Sequence, residues 1–305
     1  MWHGLGTVLE DYPGREEAIV AAGHDFQIDE QPVFLEGSPL PIEGYKSLQR
    51  SDTGKTFHIV RDSYQVMQNE VLWDLTDAIV EQPNVRYETA GVLKDGAVLW
   101  VLAWLDEPAE VPGDSSPIYP FVMVSSAHDG SASLRATASS IRVVCWNTYS
   151  AAIGAGTRAD RDVVIRHTKN WKSRVEDAKQ IVKGTREGHA QFLELAHELS
   201  AIEVSDAGTD FFLREFIPEP AAAVASDRVM ANIEEARDAV KAILRGPSQE
   251  TITGSAWGLF QAGIEYLDHA RNARSVETRF NRTLLRPERM KDSLVPMARR
   301  AAEVG

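Results

Sequence analysis

The chain reads as an α+β protein: an antiparallel β-meander with a packed helix in the N-terminal part, followed by a mainly helical C-terminal part. Three observations predict this. Two Asp-Gly pairs, Asp95-Gly96 and Asp129-Gly130, separate runs of apolar and β-branched residues. Such pairs are strong hairpin signals, because a type I′ turn needs φ > 0 at both central residues. Beyond Trp171 apolar residues recur at helical spacing, as the buried stripe of an amphipathic helix requires. Pro218, Pro220, Pro247 and Pro287 punctuate that half, and proline disfavours helix in the residue before it.

The elements follow in order. Arg15 to Ala22 is spaced as a short helix closed by Gly23, a residue that takes the left-handed conformation at little cost. Extended segments broken by Pro32, Pro39 and Pro41 come next, then a turn at Asp52-Thr53-Gly54 and a strand over Phe57–Arg61. A helix begins near Glu70, with Leu72, Leu75, Ile79 and Val80 at helical spacing, and ends before Pro83. Val85–Ala90 and Val98–Leu102 form the first hairpin, Tyr119–Ser126 and Ser131–Thr137 the second. The Pro/Gly/Asp/Ser-rich stretch from Glu107 to Pro117 is the loop between them.

From Ser140 the residues Ile141, Val144, Cys145, Thr148 and Ala152 fall at 3.6-residue spacing, with Ser139 or Ser140 to cap and Gly154 or Gly156 to end a helix. The β-branched run Ile141-Val143-Val144 argues for a strand. The small residues Ser150-Ala151-Ala152 favour the helix, so the expectation over 85–153 is β-β-β-β-α. A short strand at Val163–Ile165 precedes a helix from Trp171 to about Ser200, kinked or divided at Gly184 and Gly188. Further helices are expected over 224–245, 254–273 and 287–303, which gives an α+β domain over 1–170 and a helical domain over 171–305.

Composition narrows the function classes. The 305 residues are 43% hydrophobic and 25% charged, ordinary for a water-soluble globular protein, and hold one cysteine. One thiol makes no internal disulfide, which fits a reducing cytoplasm, here that of a host cell. No apolar run approaches the roughly 20 residues that span a bilayer, and no secretory signal stands at the N-terminus. The formal charge of −13 is uneven: residues 1–130 carry 22 acidic against 7 basic side chains, whereas residues 131–190 carry 11 basic against 5 acidic. The basic window is either one solvated helix face or a local path for a polyanion on an otherwise repelling surface.

Catalytic templates are missing. There is no phosphate-binding Gly-rich loop with Lys-Ser/Thr, no GxGxxG after a strand, no GxSxG elbow and no HExxH pair. One cysteine excludes cysteine-based zinc ribbons and fingers, and His189 and His197 stand too far apart on a helix to share one ion. No cofactor or metal is expected. Cys145 would be a nucleophile only if Arg142 lowered its pKa and a histidine such as His167 stood near; a buried thiol is the commoner fate. The segment Arg158, Arg161, Arg166, His167, Lys169, Trp171, Lys172, Arg174 combines cations with an aromatic ring. Single-stranded nucleic acids are bound by that mixture, cations following phosphates while rings stack on bases. A helix with Trp171 on the core and its Lys/Arg in water explains the pattern equally well. A cluster of Trp257, Phe260, Tyr266 and His269 reads as helix–helix packing.

Several strings together resemble a family. They are Leu5-Gly6-Thr7 after Trp2; Arg50-Ser51-Asp52-Thr53-Gly54; Tyr64 through Gln68-Asn69; Ala90-Gly91; Arg142-Val143-Val144-Cys145 with Asn147-Thr148; Ile165-Arg166-His167-Thr168; and Trp257 through Glu265-Tyr266 and Asp268-His269. Their order and number resemble the phage/plasmid-related family designated domain of unknown function nine-three-two. The resemblance implies a bacteriophage or mobile-element origin and transfers no catalytic residues. The meander-then-helix order is similar to phage single-strand annealing proteins, an analogy of fold and genetic context.

The expected role is therefore binding rather than catalysis: single-stranded DNA in replication or recombination, by a homo-oligomer, away from membranes. Arg142, Arg158, Arg161, Arg166, Lys169 and Lys172 are the expected phosphate contacts and Trp171 the stacking ring. The alternative is an oligomeric protein–protein module whose acidic N-terminal surface engages a host enzyme or defence system.

Overall fold

The computed structural model describes residues 6–9, 13–80, 86–105, 107–142, 147–149, 162–171, 173, 181–221, 226–275, 278–279, 282–283 and 289–304. The first half contains β1 (Thr7–Val8), α1 (Arg15–Ala21), β2 (Ile28–Phe34), β3 (Pro41–Arg50), β4 (Thr56–Arg61), α2 (Glu70–Val80), β5 (Tyr87–Leu93) and β6 (Val98–Trp104). Then come β7 (Ile118–Ala127), β8 (Leu134–Arg142), β9 (Asn147–Tyr149) and β10 (Asp162–Ile165). The rest is α3 (Ile181–Ser200), α4 (Asp206–Phe216), α5 (Asp227–Leu244), α6 (Ala256–Glu265), a π-helical turn (Tyr266–Ala270) and α7 (Arg289–Ala302). The protein is α+β, with antiparallel sheets first and helices mostly after.

Two compact units emerge, and they interleave along the chain. Unit 1 takes residues 1–106, 121–138 and 156–187; unit 2 takes 107–120, 139–155 and 188–305. The expected single division near residue 170 is thus replaced by several crossings. The loop after β6 and the end of β8 carry Val111, Ile118 and Arg142, which are buried among the C-terminal helices rather than in the first core.

Unit 1 is built on the meander. Its sheet runs in the order β1-β5-β6-β7-β8-β10. Leu93 faces Val98 and Val101 faces Val124 across antiparallel ladders. Strand β6 is buried along nearly its whole length, which explains why Val98-Leu99-Trp100-Val101-Leu102-Ala103 is a continuous apolar run rather than an alternation. Leu99, Val101 and Ala103 join Leu72, Leu75 and Ile79 of α2 in one core. Helix α2 forms because those side chains fall on a single stripe at 3.6-residue spacing. At the sheet margin β1 and β5 approach closely: a Cβ on Gly91 would lie 2.7 Å from the Gly6 Cα, and one on Gly6 would lie 2.5 Å from the Trp100 ring. The motif glycines are therefore a packing requirement.

The turns refine the hairpin reading. Asp95 and Gly96 both take positive φ, but so does Lys94, and the connection from Leu93 to Val98 is four residues long rather than a two-residue turn. At the second pair only Gly130 has positive φ, and β8 starts at Leu134, three residues later than expected. The early extended segments pair with the strand at residue 57 into a separate three-stranded sheet, β2-β3-β4. Pro32 lies in β2 beside a register shift between Pro32 and Phe34, where the missing N–H costs least.

The expected helix after Ser140 is corrected. Ser140, Ile141 and Arg142 end β8, and they pair with Tyr149, Thr148 and Asn147 of β9 in an antiparallel ladder. The β-branched residues decided the conformation, because a two-sided buried strand also satisfies the apolar pattern. Val144, Cys145 and Ala152 lie outside the described residues.

Unit 2 is a helical assembly. Phe192 and Leu199 of α3, Phe212 and Phe216 of α4, Trp257 and Phe260 of α6, and Leu294 and Ala298 of α7 form its core. Helix α3 continues through Gly184 and Gly188 without the expected break. Helix α4 has no counterpart in the sequence reading; Ser205 caps it by accepting the Gly208 N–H at 3.0 Å. A Cβ on Gly208 would lie 2.3 Å from the Ala301 carbonyl oxygen, so α4 and α7 meet backbone to backbone there.

Candidate functional site

The basic segment leaves strand β10 in unit 1, where Arg166 and Lys169 are exposed. It is tied down through His167. The Gln65 amide donates to the His167 carbonyl at 3.4 Å, and His167 Nδ1 donates to the Gln65 carbonyl at 3.3 Å. The imidazole stacks on Tyr64 with ring centroids 4.9 Å apart and planes 14° from parallel. Burial lowers the His167 pKa and pushes Tyr64 up to about 12, so this stack is neutral at physiological pH. The exposed Arg61 lies three residues before Tyr64, and its carbonyl accepts the Tyr64 N–H at 2.9 Å. Exposed cations thus stand within three residues of a neutral aromatic pair.

The other predicted contacts fare differently. Trp171 is half-buried and packs on the unit 1 core, as Tyr64 does. Arg158, Arg161 and Lys172 lie outside the described residues, as does Cys145. Arg142 is a correction: its side chain is only 2% exposed and belongs to unit 2, where it forms an internal ion pair.

That ion pair centres a dense polar cluster. Arg142 donates through Nε and Nη2 to the two carboxylate oxygens of Asp114, both at 2.6 Å, and through Nη1 to the Ser248 carbonyl at 2.7 Å. Asp114 also accepts the Trp257 indole N–H at 2.8 Å and the Ser116 amide at 2.9 Å. Planar two-point pairing of this kind is what a guanidinium gives a carboxylate or a phosphate. Nearby, Glu265 accepts from Ser248 Oγ at 2.8 Å and from Gln249 Nε2 at 3.0 Å. A second buried pair joins Lys291 to Asp268 at 2.5 Å, with side chains 3% and 1% exposed. Ser140 Oγ meets His189 Nδ1 at 2.9 Å. The motif residues Arg142, Trp257, Glu265 and Asp268 therefore bond inside one unit, and Trp257, Phe260 and Tyr266 take the packing role expected of the aromatic cluster. Asp114 and Lys291 were not legible as its partners, because Asp in a Pro/Gly/Ser-rich loop is ordinary turn chemistry.

Unit 1 has its own polar interior. Asn69 Nδ2 donates to the carbonyls of His24 at 3.0 Å and Phe26 at 2.8 Å, and its Oδ1 accepts from His128 Nε2 at 2.9 Å. His24 Nε2 donates to the Gly91 carbonyl at 2.9 Å. Burial lowers His24 to about 4; burial, with the neighbouring His167, lowers His128 to about 3. Gln68 bonds both the N–H and the carbonyl of Ile28, at 2.8 and 3.0 Å, as a strand neighbour would. The Gln68-Asn69 motif is thus a clasp between the loop before α2 and residues 24–28. Among the described residues no three His, Cys, Asp or Glu side chains are arranged to hold a metal ion.

A family model described as a domain of unknown function, DUF932, matches residues 56–286. The chain belongs to this family. The matched range includes the Asn69 clasp, the meander, the Arg142–Asp114 pair and the helices that bury it. Searches of curated proteins and of solved structures returned no match. Among the described residues no helix is long and apolar enough to cross a membrane.

Proposed function

We propose that this DUF932 protein binds single-stranded DNA, as a homo-oligomeric phage or mobile-element factor of replication or recombination in a host cytoplasm. The observation that carries the reading is the anchored Tyr64–His167 stack with exposed Arg166 and Lys169 beside it and Arg61 close by in sequence. Cations track phosphates beside the half-buried neutral rings, and the rigid hold on His167 keeps the ordering cost low. The acidity of residues 1–130 confines binding to this basic edge. A fluorescent oligothymidylate titrated at several salt concentrations tests it. Binding should weaken with salt, and Arg166→Ala with Lys169→Ala should reduce the slope by about 1.4, at about 0.7 per phosphate contact. Salt-independent binding, or a slope unchanged in the double variant, refutes it.

A protein–protein module is favoured by a different observation. Phe34, Leu35 and Leu40 are 51%, 65% and 72% exposed around the β2–β3 connection, and Tyr45 and Ile59 are exposed on the same small sheet. Apolar side chains grouped on a surface mark interaction sites. Capture of a stoichiometric host protein, abolished by Leu35→Ser with Leu40→Ser while oligothymidylate binding is absent, would decide for it.

A further inference from the structure

The three-stranded β2-β3-β4 sheet of unit 1 has two unlike faces. Register and alternation put Ile28, Leu48 and Val60 on one face, where they are buried in the unit 1 core. On the other face Tyr45 and Ile59 are 43% and 50% exposed, and Arg61 is exposed beside them. Gln49 Nε2 donates to Ser47 Oγ at 3.4 Å and to Thr56 Oγ1 at 3.2 Å, so these polar side chains share the open face. An aromatic ring, a guanidinium, an amide and hydroxyls on one side of an antiparallel sheet are the groups that stack on nucleobases and bond their edges.

Tyr45 and Arg61 are Cα partners across β3 and β4, which sets their side chains side by side, about 5 Å apart at Cβ. Among the described residues Arg61 takes no ion-pair partner. Its carbonyl accepts the Tyr64 N–H, Tyr64 stacks on His167, and the exposed Arg166 and Lys169 flank that histidine. The rings of Tyr64 and Trp171 pack on the core, whereas the Tyr45 ring is open to solvent. Phe34 is exposed too, but its register partner is Pro41 and no cation stands across from it. Asp29 on β2 shares the open face, and Glu43 lies two residues before Tyr45. Neither is on β4, so like-charge repulsion keeps a phosphate chain to the β4 edge, where Arg61 stands.

We propose that this face is the base-stacking platform of the single-stranded DNA site, a proposal that rests on the DNA reading above and names its stacking residue. One base lies on Tyr45, Ile59 packs beside it, and Arg61 holds a phosphate on the path toward Arg166 and Lys169. Tyr45→Ala should weaken oligothymidylate binding roughly fivefold to 150-fold, the worth of one base stacked on a ring, and leave the salt slope unchanged. Tyr45→Phe should bind as the wild type does. Arg61→Ala should lower the salt slope by about 0.7, one phosphate contact. An abasic oligodeoxyribonucleotide keeps the phosphates and lacks the bases, so on that strand Tyr45→Ala should cost nothing. The substituted side chains face solvent, so the fold is kept. Wild-type affinity in Tyr45→Ala, or an equal loss on the abasic strand, overturns the proposal and leaves DNA binding through Arg166 and Lys169 standing. Absence of salt-dependent oligothymidylate binding by the wild type overturns both. Loss of self-association or of a captured host protein in Tyr45→Ala with Ile59→Ser, at unchanged oligothymidylate affinity, overturns it in favour of a protein partner.

Discussion

Acid should unfold unit 1 through its buried histidines well before its carboxylates protonate. His24 and His128 titrate at about 4 and about 3 in the folded protein, against about 6.5 for an unfolded histidine. A base whose folded pKa is depressed contributes full stability above its unfolded pKa and loses it as pH falls toward the folded value. Between pH 8 and pH 5 each histidine then removes about 2 kcal/mol, about 4 kcal/mol together. His167, also lowered, acts in the same direction, while Asp25 and Asp129 oppose it weakly by favouring the charged rings. A loss of that size is a large part of a typical stability of about 5–15 kcal/mol. The geometry gives the reason: a proton on His24 Nδ1 would be buried with no acceptor. Urea melts from pH 8 to pH 5 measure the slope, and NMR titration of the imidazole protons assigns it. His24→Gln keeps a donor for Gly91 and should remove about half of the slope. Stability flat between pH 7 and pH 5, or histidines titrating near 6.5 in the folded protein, would refute the reasoning.

Other substitutions separate the roles of the motif residues. Arg142→Ala strands the buried Asp114 carboxylate and should cost about 3–5 kcal/mol, read as a lower denaturation midpoint in urea. Arg142→Lys should recover only part of this, since one ammonium cannot make the fork that Asp114 receives. Gly6→Ala forces a Cβ into the Trp100 ring and requires φ near +68 from alanine; a loss of about 1–3 kcal/mol is expected by thermal unfolding. Gly208→Ala should cost a comparable amount by pushing α4 off α7, with increased amide exchange in both helices as the readout.

Much of the architecture was legible where one physical signal dominated. Helix α2 follows from its apolar stripe, and the meander follows from apolar runs broken by Asp-Gly. Legibility failed where two signals coincided. Ile141 and Thr148 suit a helical stripe, yet they are partners across a strand pair whose four-residue connection carries no Gly or Asn to announce a turn. Helix α4 was missed although Ser205 and Asp206 are good starting residues, because the glycine at 208 lowers helix propensity. In the candidate site the cations were visible and their burial was not. Arg142 and Arg166 look alike in sequence; only the distant Asp114, Ser248 and Trp257 decide that one faces inward.

The Arg142–Asp114 cluster also sets an order of events during synthesis. Asp114 and Arg142 leave the ribosome long before Ser248 and Trp257, which complete their hydrogen bonds and burial. At bacterial-to-eukaryotic elongation speeds, the roughly 115 intervening residues take about 6 to 23 seconds to emerge. Through that interval the pair is a solvated, weakly held contact, and the loop and strand bearing it wait for helices not yet made. A chain stopped at residue 170 would stay in that waiting state, so a truncated N-terminal half should be a chaperone client rather than a free-standing domain.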